Sequence, residues 1–96
     1  MQYDVYQLAG GQLVLDLQSD LVDVGTRVVA PLVDKPRAAT RLPTLEPVLF
    51  ADGQELTLLV TEMTAIPARL LGRPITNLKA HDYTIRRAID LIFTGV

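Results

Sequence analysis

Residues 82–96 read DYTIRRAIDLIFTGV and carry the clearest structural signal in the chain. Their apolar residues recur at steps of three and four, which gathers them on one face of an α-helix. These residues are Ile85, Ala88, Ile89, Ile92 and Phe93, and the opposite face carries Tyr83, Arg87, Asp90 and Thr94. Gly95 breaks the pattern, as glycine commonly does just past a helix end. The spacing therefore predicts an amphipathic C-terminal helix that begins near His81 and presents one face for packing.

Short apolar runs bounded by turn-forming residues precede this helix and predict antiparallel strands. The predicted strands cover residues 2–8, 12–18, 27–33, 48–51 and 54–60. Gly10-Gly11 joins the first two strands, and Asp52-Gly53 joins the last two with the signature of a two-residue type I′ turn. Residues 61–81 are predicted to be bent, extended chain and a connection to the helix. These elements predict a mainly β fold with one C-terminal α-helix, in which about five antiparallel strands form a small barrel or a strongly bent sheet.

Three features between or within the strands depart from regular alternation. Pro31 cannot donate a ladder hydrogen bond, so it is expected at an edge, a bulge or a strand end. Residues 34–47 contain three prolines and predict a surface loop, with one short helical turn around residues 37–41. Leu21 and Val22 lie among acidic residues in a predicted turn, where apolar side chains serve either as core plugs or as contact residues.

The composition indicates a single folded domain that spans residues 1–96. The chain has 96 residues, 49% of them hydrophobic, and contains no cysteine, which excludes disulfides and thiolate metal sites. It has no run of 18 apolar residues and no basic N-terminal region followed by an apolar stretch, so we expect a soluble cytoplasmic protein without a membrane partner. The net charge is −2, and residues 1–60 hold four Lys and Arg against eight Asp and Glu. This balance argues against direct binding of nucleic acid.

Residues with reactive side chains do not form a recognisable active site. His81 is the only histidine, and at a helix start it is expected to flank or cap the helix rather than to serve as a catalytic base. Asp16, Asp20 and Asp23 could hold a hard cation, but they lack the spacing of a calcium loop, and a solvated acidic turn is the alternative. The chain also lacks a glycine-rich phosphate loop. We therefore predict no catalytic residue, no metal, no cofactor and no enzymatic activity.

Five segments give the chain a resemblance to a known family. They are MQYDVY at 1–6, LVLDLQSDLVD at 13–23, RVVAPL at 27–32, VTEMTAIP at 60–67 and TIRRAIDLIFTGV at 84–96. They occur in the family's order and span nearly the whole chain. On these segments the chain resembles the CcdB family of bacterial toxins, which belong to toxin–antitoxin pairs and poison DNA gyrase.

The resemblance implies an SH3-like barrel with a long C-terminal helix, assembled as a two-fold homodimer. It implies that the protein binds the DNA gyrase A subunit, traps its cleaved complex with DNA, and is neutralised by a CcdA-like antitoxin. Contact with nucleic acid and transcription autoregulation would then come only through the antitoxin complex. The family's gyrase-binding elements correspond here to Leu21, Val22, Arg87, Asp90, Phe93, Thr94, Gly95 and Val96. Tyr83 and Arg86 lie on the helix row nearest that surface, and the antitoxin is expected at the first hairpin and at residues 34–47.

Thr94 marks a departure from the family, whose best-known toxin has tryptophan just before the terminal glycine. Because interface free energy concentrates in large side chains, with Trp foremost, this difference motivates a second hypothesis. In that hypothesis the protein keeps antitoxin binding but no longer poisons gyrase. The first hairpin is also shorter around Gly10-Gly11 than in the family. Because the antitoxin is expected to contact this hairpin, the difference puts the family's antitoxin specificity in doubt for this chain. A third hypothesis is an mRNA endoribonuclease like the MazF toxins, which share this barrel, although the acidic first sixty residues argue against the basic groove that such an enzyme needs.

Overall fold

A computed structural model describes residues 1–34 and 43–95 of the chain. Within these residues the chain forms seven β-strands and one α-helix. The strands are β1 (Asp4–Gln7), β2 (Leu13–Asp16), β3 (Thr26–Val33), β4 (Val48–Ala51), β5 (Gln54–Leu58), β6 (Thr64–Pro67) and β7 (Thr76–Asn77). The helix, α1, spans Asp82–Thr94, and short 3₁₀ turns lie at Val60–Glu62, Ala68–Leu70 and Lys79–His81. The helical turn predicted at residues 37–41 lies outside the described residues.

All the strands pair antiparallel and curve into one nearly closed barrel. The order of hydrogen-bonded neighbours is β4-β5-β3-β2-β1-β7, and β6 pairs with β3. β3 pairs with β2 along one edge, while its other edge pairs first with β6 and then with β5. The prediction of a mainly β, antiparallel barrel with one C-terminal helix is therefore confirmed.

The predicted turns close two hairpins, whereas two strands were not predicted. β1 pairs with β2 across the loop that contains Gly10 and Gly11, and β4 pairs with β5 across Asp52-Gly53. Both central residues of the second turn have positive φ, +51° and +81°, which is the requirement of a type I′ turn.

β6 and β7 lie within residues 61–81, where the prediction was extended chain and a connection. The two residues of β7 are too few to carry a period, and Pro67 ends β6, so neither strand has a strong local signal.

The barrel interior is apolar, and α1 packs against it. Fully buried strand residues supply much of this core, including Val5, Leu15, Leu32, Leu49 and Leu58. Ile85 and Ala88 of α1 have no exposed surface, and Ile89 packs against the same cluster, so the first part of the predicted packing face is confirmed. Ile92 is 36% exposed and Phe93 is 70% exposed, so the last turn of that face remains open to solvent.

Pro31 contradicts its prediction. It lies inside β3, opposite Val14 of β2, and not at an edge, a bulge or a strand end. Its nitrogen faces away from β2, because the hydrogen bond from Leu17 N to Val28 O at 2.9 Å sets the alternation along β3. On that far side β6 has ended, and the Pro31 carbonyl accepts a hydrogen bond from Leu59 N at 2.9 Å. The missing N–H therefore falls at the junction between β6 and β5, opposite Leu59, whose carbonyl accepts a hydrogen bond from Glu62 N at 3.0 Å instead.

Candidate protein-contact site

Two exposed segments contain most of the residues that the sequence suggested as contacts. The acidic turn, residues 19–25, connects β2 to β3 and contains Leu21 and Val22. The helix end, residues 92–95, completes α1 and contains Phe93, Thr94 and Gly95. Val96 lies outside the described residues.

Apolar side chains project from the acidic turn into solvent. Leu21 is 96% exposed, and Val22 and Val24 are exposed as well. Ser19 shapes the turn, since its Oγ accepts a hydrogen bond from Leu21 N at 3.2 Å and its carbonyl accepts one from Val22 N at 3.1 Å. The core-plug interpretation of Leu21 and Val22 is wrong, because neither side chain is buried. The contact interpretation is the one that this exposure favours.

A buried ion pair holds the base of the acidic turn. Asp16, at the end of β2, has no exposed surface, and its two carboxylate oxygens accept hydrogen bonds from Arg27 Nε at 2.9 Å and Nη2 at 3.1 Å. Arg27 Nη2 also donates to the Gln18 carbonyl at 2.8 Å and to Asp20 Oδ1 at 3.3 Å. Burial acts to lower the pKa of the Arg27 guanidinium, but hydrogen bonds and charges from Asp16 and Asp20 raise that pKa overall. The charged guanidinium therefore ties β2, β3 and the turn together.

This pairing corrects the interpretation of the acidic residues. A solvated acidic turn is wrong for Asp16, which is a buried partner of Arg27. Asp20 is more exposed, but its Oδ1 also accepts a hydrogen bond from Gln2 N at 2.9 Å. Within residues 1–34 and 43–95, no group of His, Asp and Glu has an arrangement suited to a metal ion.

The helix end leaves one large apolar side chain open to a partner. Thr94 Oγ1 donates to the Asp90 carbonyl at 2.7 Å, which turns its hydroxyl back onto its own helix. Gly95 adopts the left-handed conformation, with φ of +77°, and its N–H donates to the Leu91 carbonyl at 3.0 Å. This is the usual C-terminal cap that glycine provides. Phe93 is consequently the main apolar feature of this tip.

The polar row of α1 carries an exposed aromatic–cation pair. The Arg87 guanidinium lies 5.8 Å from the centre of the Tyr83 ring, and its Nη1 donates to the Tyr83 hydroxyl at 3.3 Å. Arg86 Nη1 lies 3.7 Å from Asp82 Oδ2, one helical turn earlier. Such exposed pairs contribute little to folding, so these side chains remain free to exchange partners on binding.

The start of α1 is fastened to the barrel by two side chains. The Tyr3 hydroxyl donates to Asp82 Oδ1, and burial together with this carboxylate raises the pKa of Tyr3 to about 12. His81 occupies the N-cap position, and its Nε2 accepts a hydrogen bond from Phe50 N of β4 at 3.3 Å. The prediction that His81 flanks the helix start is therefore confirmed. These contacts fix the direction in which α1 leaves the barrel.

The suggested contact residues form two groups in the structure. Leu21 and Val22 share the acidic turn, whereas those from Arg87 to Gly95 share α1 and its cap. No hydrogen bond or ion pair within the described part of the chain joins the acidic turn directly to the helix end. The acidic turn lies nearer the other end of α1, because Asp20 and Asp82 line one surface cleft together with Tyr3.

The hydrogen-bonded framework at the base of the acidic turn was not predicted from the sequence. Asp16 lies near the end of the second predicted strand and Arg27 begins the third, so an opposite-charge pair lies on either side of the predicted turn. This pair could have predicted an ion pair between Asp16 and Arg27. Its burial could not be predicted, because it depends on the register of β2 and β3. Gln18, which also belongs to this framework, has no comparable local signal.

No helix in the described residues has the length and the apolar character needed to cross a membrane. The described residues form a nearly closed barrel with one terminal helix, and they leave apolar side chains exposed at the acidic turn and at the helix end. A family model described as CcdB protein matches residues 2–95, which is essentially the whole chain. The chain therefore belongs to the CcdB family of toxin–antitoxin toxins, as the resemblance implied.

Proposed function

We propose that this protein is the toxin of a bacterial type II toxin–antitoxin pair, which binds the gyrase A subunit and traps the complex in which gyrase has cleaved DNA. It acts by contact alone, in the cytoplasm, where gyrase works on DNA. A CcdA-like antitoxin neutralises it, and contact with DNA and transcription autoregulation come through the complex of toxin and antitoxin. Membership of the CcdB family supports this proposal.

The exposed helix end is the structural observation that best supports this proposal. Phe93 is 70% exposed although it belongs to the apolar face of α1, whose earlier members Ile85 and Ala88 are fully buried. Interface free energy concentrates in a few large, often aromatic, side chains that become buried on binding. Gly95, two residues after Phe93, has no side chain, so a partner can approach the backbone closely there.

The proposed assembly is a two-fold homodimer that offers two helix ends to gyrase. We take gyrase A to be a symmetric dimer as well. A contact made by two helix ends related by a two-fold axis then matches the symmetry of its target. The proposed gyrase-binding residues form two groups. Leu21 and Val22 lie on the acidic turn, and the second group comprises Arg87, Asp90, Phe93, Thr94, Gly95 and Val96 of the C-terminal segment.

A matched pair of substitutions tests this site, because the chain contains only two phenylalanines and both are exposed. Phe93→Ala is expected to weaken binding to purified gyrase A about 30-fold or more, since it removes the central apolar side chain of the contact. Phe50→Ala changes a side chain that is 56% exposed on β4, and it is expected to leave that affinity unchanged. Surface plasmon resonance gives the affinities, and an assay of gyrase-cleaved DNA reports the trapped complex. Equal affinities of the two variants would contradict the site.

A second candidate is a family member that binds antitoxin without poisoning gyrase. Thr94 favours it, because its hydroxyl is engaged by the Asp90 carbonyl and its side chain offers little contact area. Wild-type protein that binds a CcdA-like antitoxin but neither binds gyrase A nor arrests growth would support this candidate. The MazF-like endoribonuclease is tested separately, by incubating purified protein with mRNA and measuring whether the RNA is cleaved.

A further inference from the structure

Gln18 lies between β2 and the acidic turn, and its side chain spans the base of that turn. Its Nε2 donates to the Val22 carbonyl at 2.8 Å and to the Thr26 carbonyl at 3.1 Å, and its Oε1 accepts a hydrogen bond from Val28 N at 3.0 Å. Both amide hydrogens and the amide oxygen are therefore engaged with backbone across the turn. The reversed orientation of the Gln18 amide would place its oxygen against two carbonyl oxygens. These three hydrogen bonds are therefore compatible with only one orientation of the amide.

The backbone of Gln18 is anchored to the buried ion pair below the turn. Its N–H donates to Asp16 Oδ1 at 3.1 Å, and its carbonyl accepts from Arg27 Nη2 at 2.8 Å. Asp16 has no exposed surface, so this anchor belongs to the rigid part of the barrel. Gln18 consequently links the barrel, through its side chain, to the backbone of the exposed tip.

The tip of the acidic turn depends on such hydrogen bonds because its side chains are exposed. Leu21 and Val24 are 96% and 69% exposed, so they gain little from packing within the protomer. Ser19 closes one local turn, but the Gln18 amide is the group that joins Val22 to the base of the loop. An exposed loop held in its bound conformation loses less conformational entropy when a partner binds.

We propose that Gln18 is a positioning residue, whose carboxamide holds the acidic turn in the conformation that presents Leu21 and Val22 to the protein partner. The identity of that partner, gyrase A, rests on the proposed function. The positioning itself is a property of the free protein, so it can be measured without any partner.

Gln18→Glu is the variant that tests this role, with Gln12→Glu as its matched control. At neutral pH the glutamate keeps an acceptor for Val28 N, but it replaces the Nε2 donor by an oxygen that faces the carbonyls of Val22 and Thr26. Gln12 is a suitable control because its Nε2 also donates to two carbonyls, those of Leu13 at 2.8 Å and Leu32 at 3.1 Å. It lies at the opposite end of β2 from the acidic turn.

Amide hydrogen exchange and gyrase binding are the two measurements. In Gln18→Glu we expect exchange of the Val22 amide to be about tenfold faster or more, because the turn opens more often. We expect binding to gyrase A to weaken about tenfold, which is the scale of losing one or two hydrogen bonds that order a contact loop. Gln12→Glu is expected to keep wild-type values for both, and thermal melting checks that both variants are folded.

Each outcome bears on the proposal. Exchange and affinity equal to those of Gln12→Glu would overturn it, and so would faster exchange with unchanged affinity, since the conformation of the turn would then not matter to the partner. Failure of the wild-type protein to bind gyrase A would overturn the proposed function, and the exchange measurement would still decide whether Gln18 orders the turn. If Gln18→Glu does not fold, Gln18→Met, which removes the polar amide without adding charge, takes its place in the same measurements.

Discussion

Two arginine–aspartate pairs show how strongly burial determines the value of a single ion pair in this protein. The side chain of Arg27 is 14% exposed and that of its partner Asp16 is fully buried, whereas Arg86 and Asp82 are 69% and 43% exposed. Removing one partner from a buried pair leaves an unpaired charge in a medium of low dielectric constant. Water screens and solvates the exposed pair, so its loss matters little.

The substitution Arg27→Met is expected to lower the free energy of unfolding by about 3 kcal/mol, because the Asp16 carboxylate loses its main partner. Arg86→Met makes the same chemical change in an exposed pair, and we expect it to cost less than about 0.5 kcal/mol. Urea denaturation of both variants measures the two values. Adding Asp16→Leu to Arg27→Met should recover part of the loss, since no charge then stays buried. Similar losses for Arg27→Met and Arg86→Met would contradict the argument.

Among the elements, α1 depends on Tyr3 for the attachment of its first turn. The backbone of Tyr3 has φ of +69°, an uncommon conformation for a residue with a side chain, and its carbonyl accepts a hydrogen bond from Leu78 N at 2.8 Å. Its hydroxyl donates to Asp82, the first residue of α1. Tyr3, which lies just ahead of β1, therefore attaches the first turn of α1 to the barrel, together with His81.

Alkaline pH is expected to weaken this attachment. Burial, followed by the hydrogen bond and charge of Asp82, raises the pKa of Tyr3 to about 12, and burial together with Asp4 raises the pKa of Tyr6 to about 12. The unfolded chain loses these protons near pH ~10, so the stabilisation is complete below that pH and is lost as the pH rises from ~10 to ~12. The free energy of unfolding should therefore fall less steeply over this range in Tyr3→Phe than in the wild type. Identical slopes in the two proteins would rule out a contribution from Tyr3.

Elements with a local signal could be predicted from the sequence, and elements without one could not. Asp52-Gly53 and Gly95 need a positive φ, a property of residue type, so the second hairpin and the end of α1 were predicted correctly. β7 is supported by pairing over a long separation, such as the hydrogen bond from Asn77 Nδ2 to Asp4 Oδ1 at 2.9 Å, which no local pattern reveals. The exposure of Leu21 in the candidate site could not be predicted either, because it depends on how distant strands pack below the acidic turn.

Across the whole molecule, exposed apolar groups remain at more places than the acidic turn and the helix end. β4 and β7 stand at the two ends of the strand order, and Val48 of β4 is 47% exposed. Ile75, just ahead of β7, is 50% exposed. Open strand edges with exposed apolar side chains favour association, which agrees with the proposal of a homodimer.

A homodimer that needs both of its helix ends makes Gly95→Glu a dominant substitution. A side chain at Gly95 would meet no atom within 4 Å, so the main cost is the left-handed backbone, about 1 kcal/mol, and the variant should still fold. It should also pair with wild-type chains. Random pairing of equal amounts leaves about one quarter of the dimers with two intact ends. Co-expression is therefore expected to relieve growth arrest, measured as the rate of growth after induction of both chains.

The matched control is Gly72→Glu, which makes the same change at an exposed glycine that also has open space around it. It should pair with the wild type in the same way and leave growth arrest intact, so any relief specific to Gly95→Glu comes from the helix end and not from the added charge. Light scattering on the co-purified chains should give about twice the chain mass of 10.5 kDa. A mass of one chain at micromolar concentration, or undiminished growth arrest with Gly95→Glu, would mean that one helix end is sufficient and that the symmetry of the target has no part in the contact.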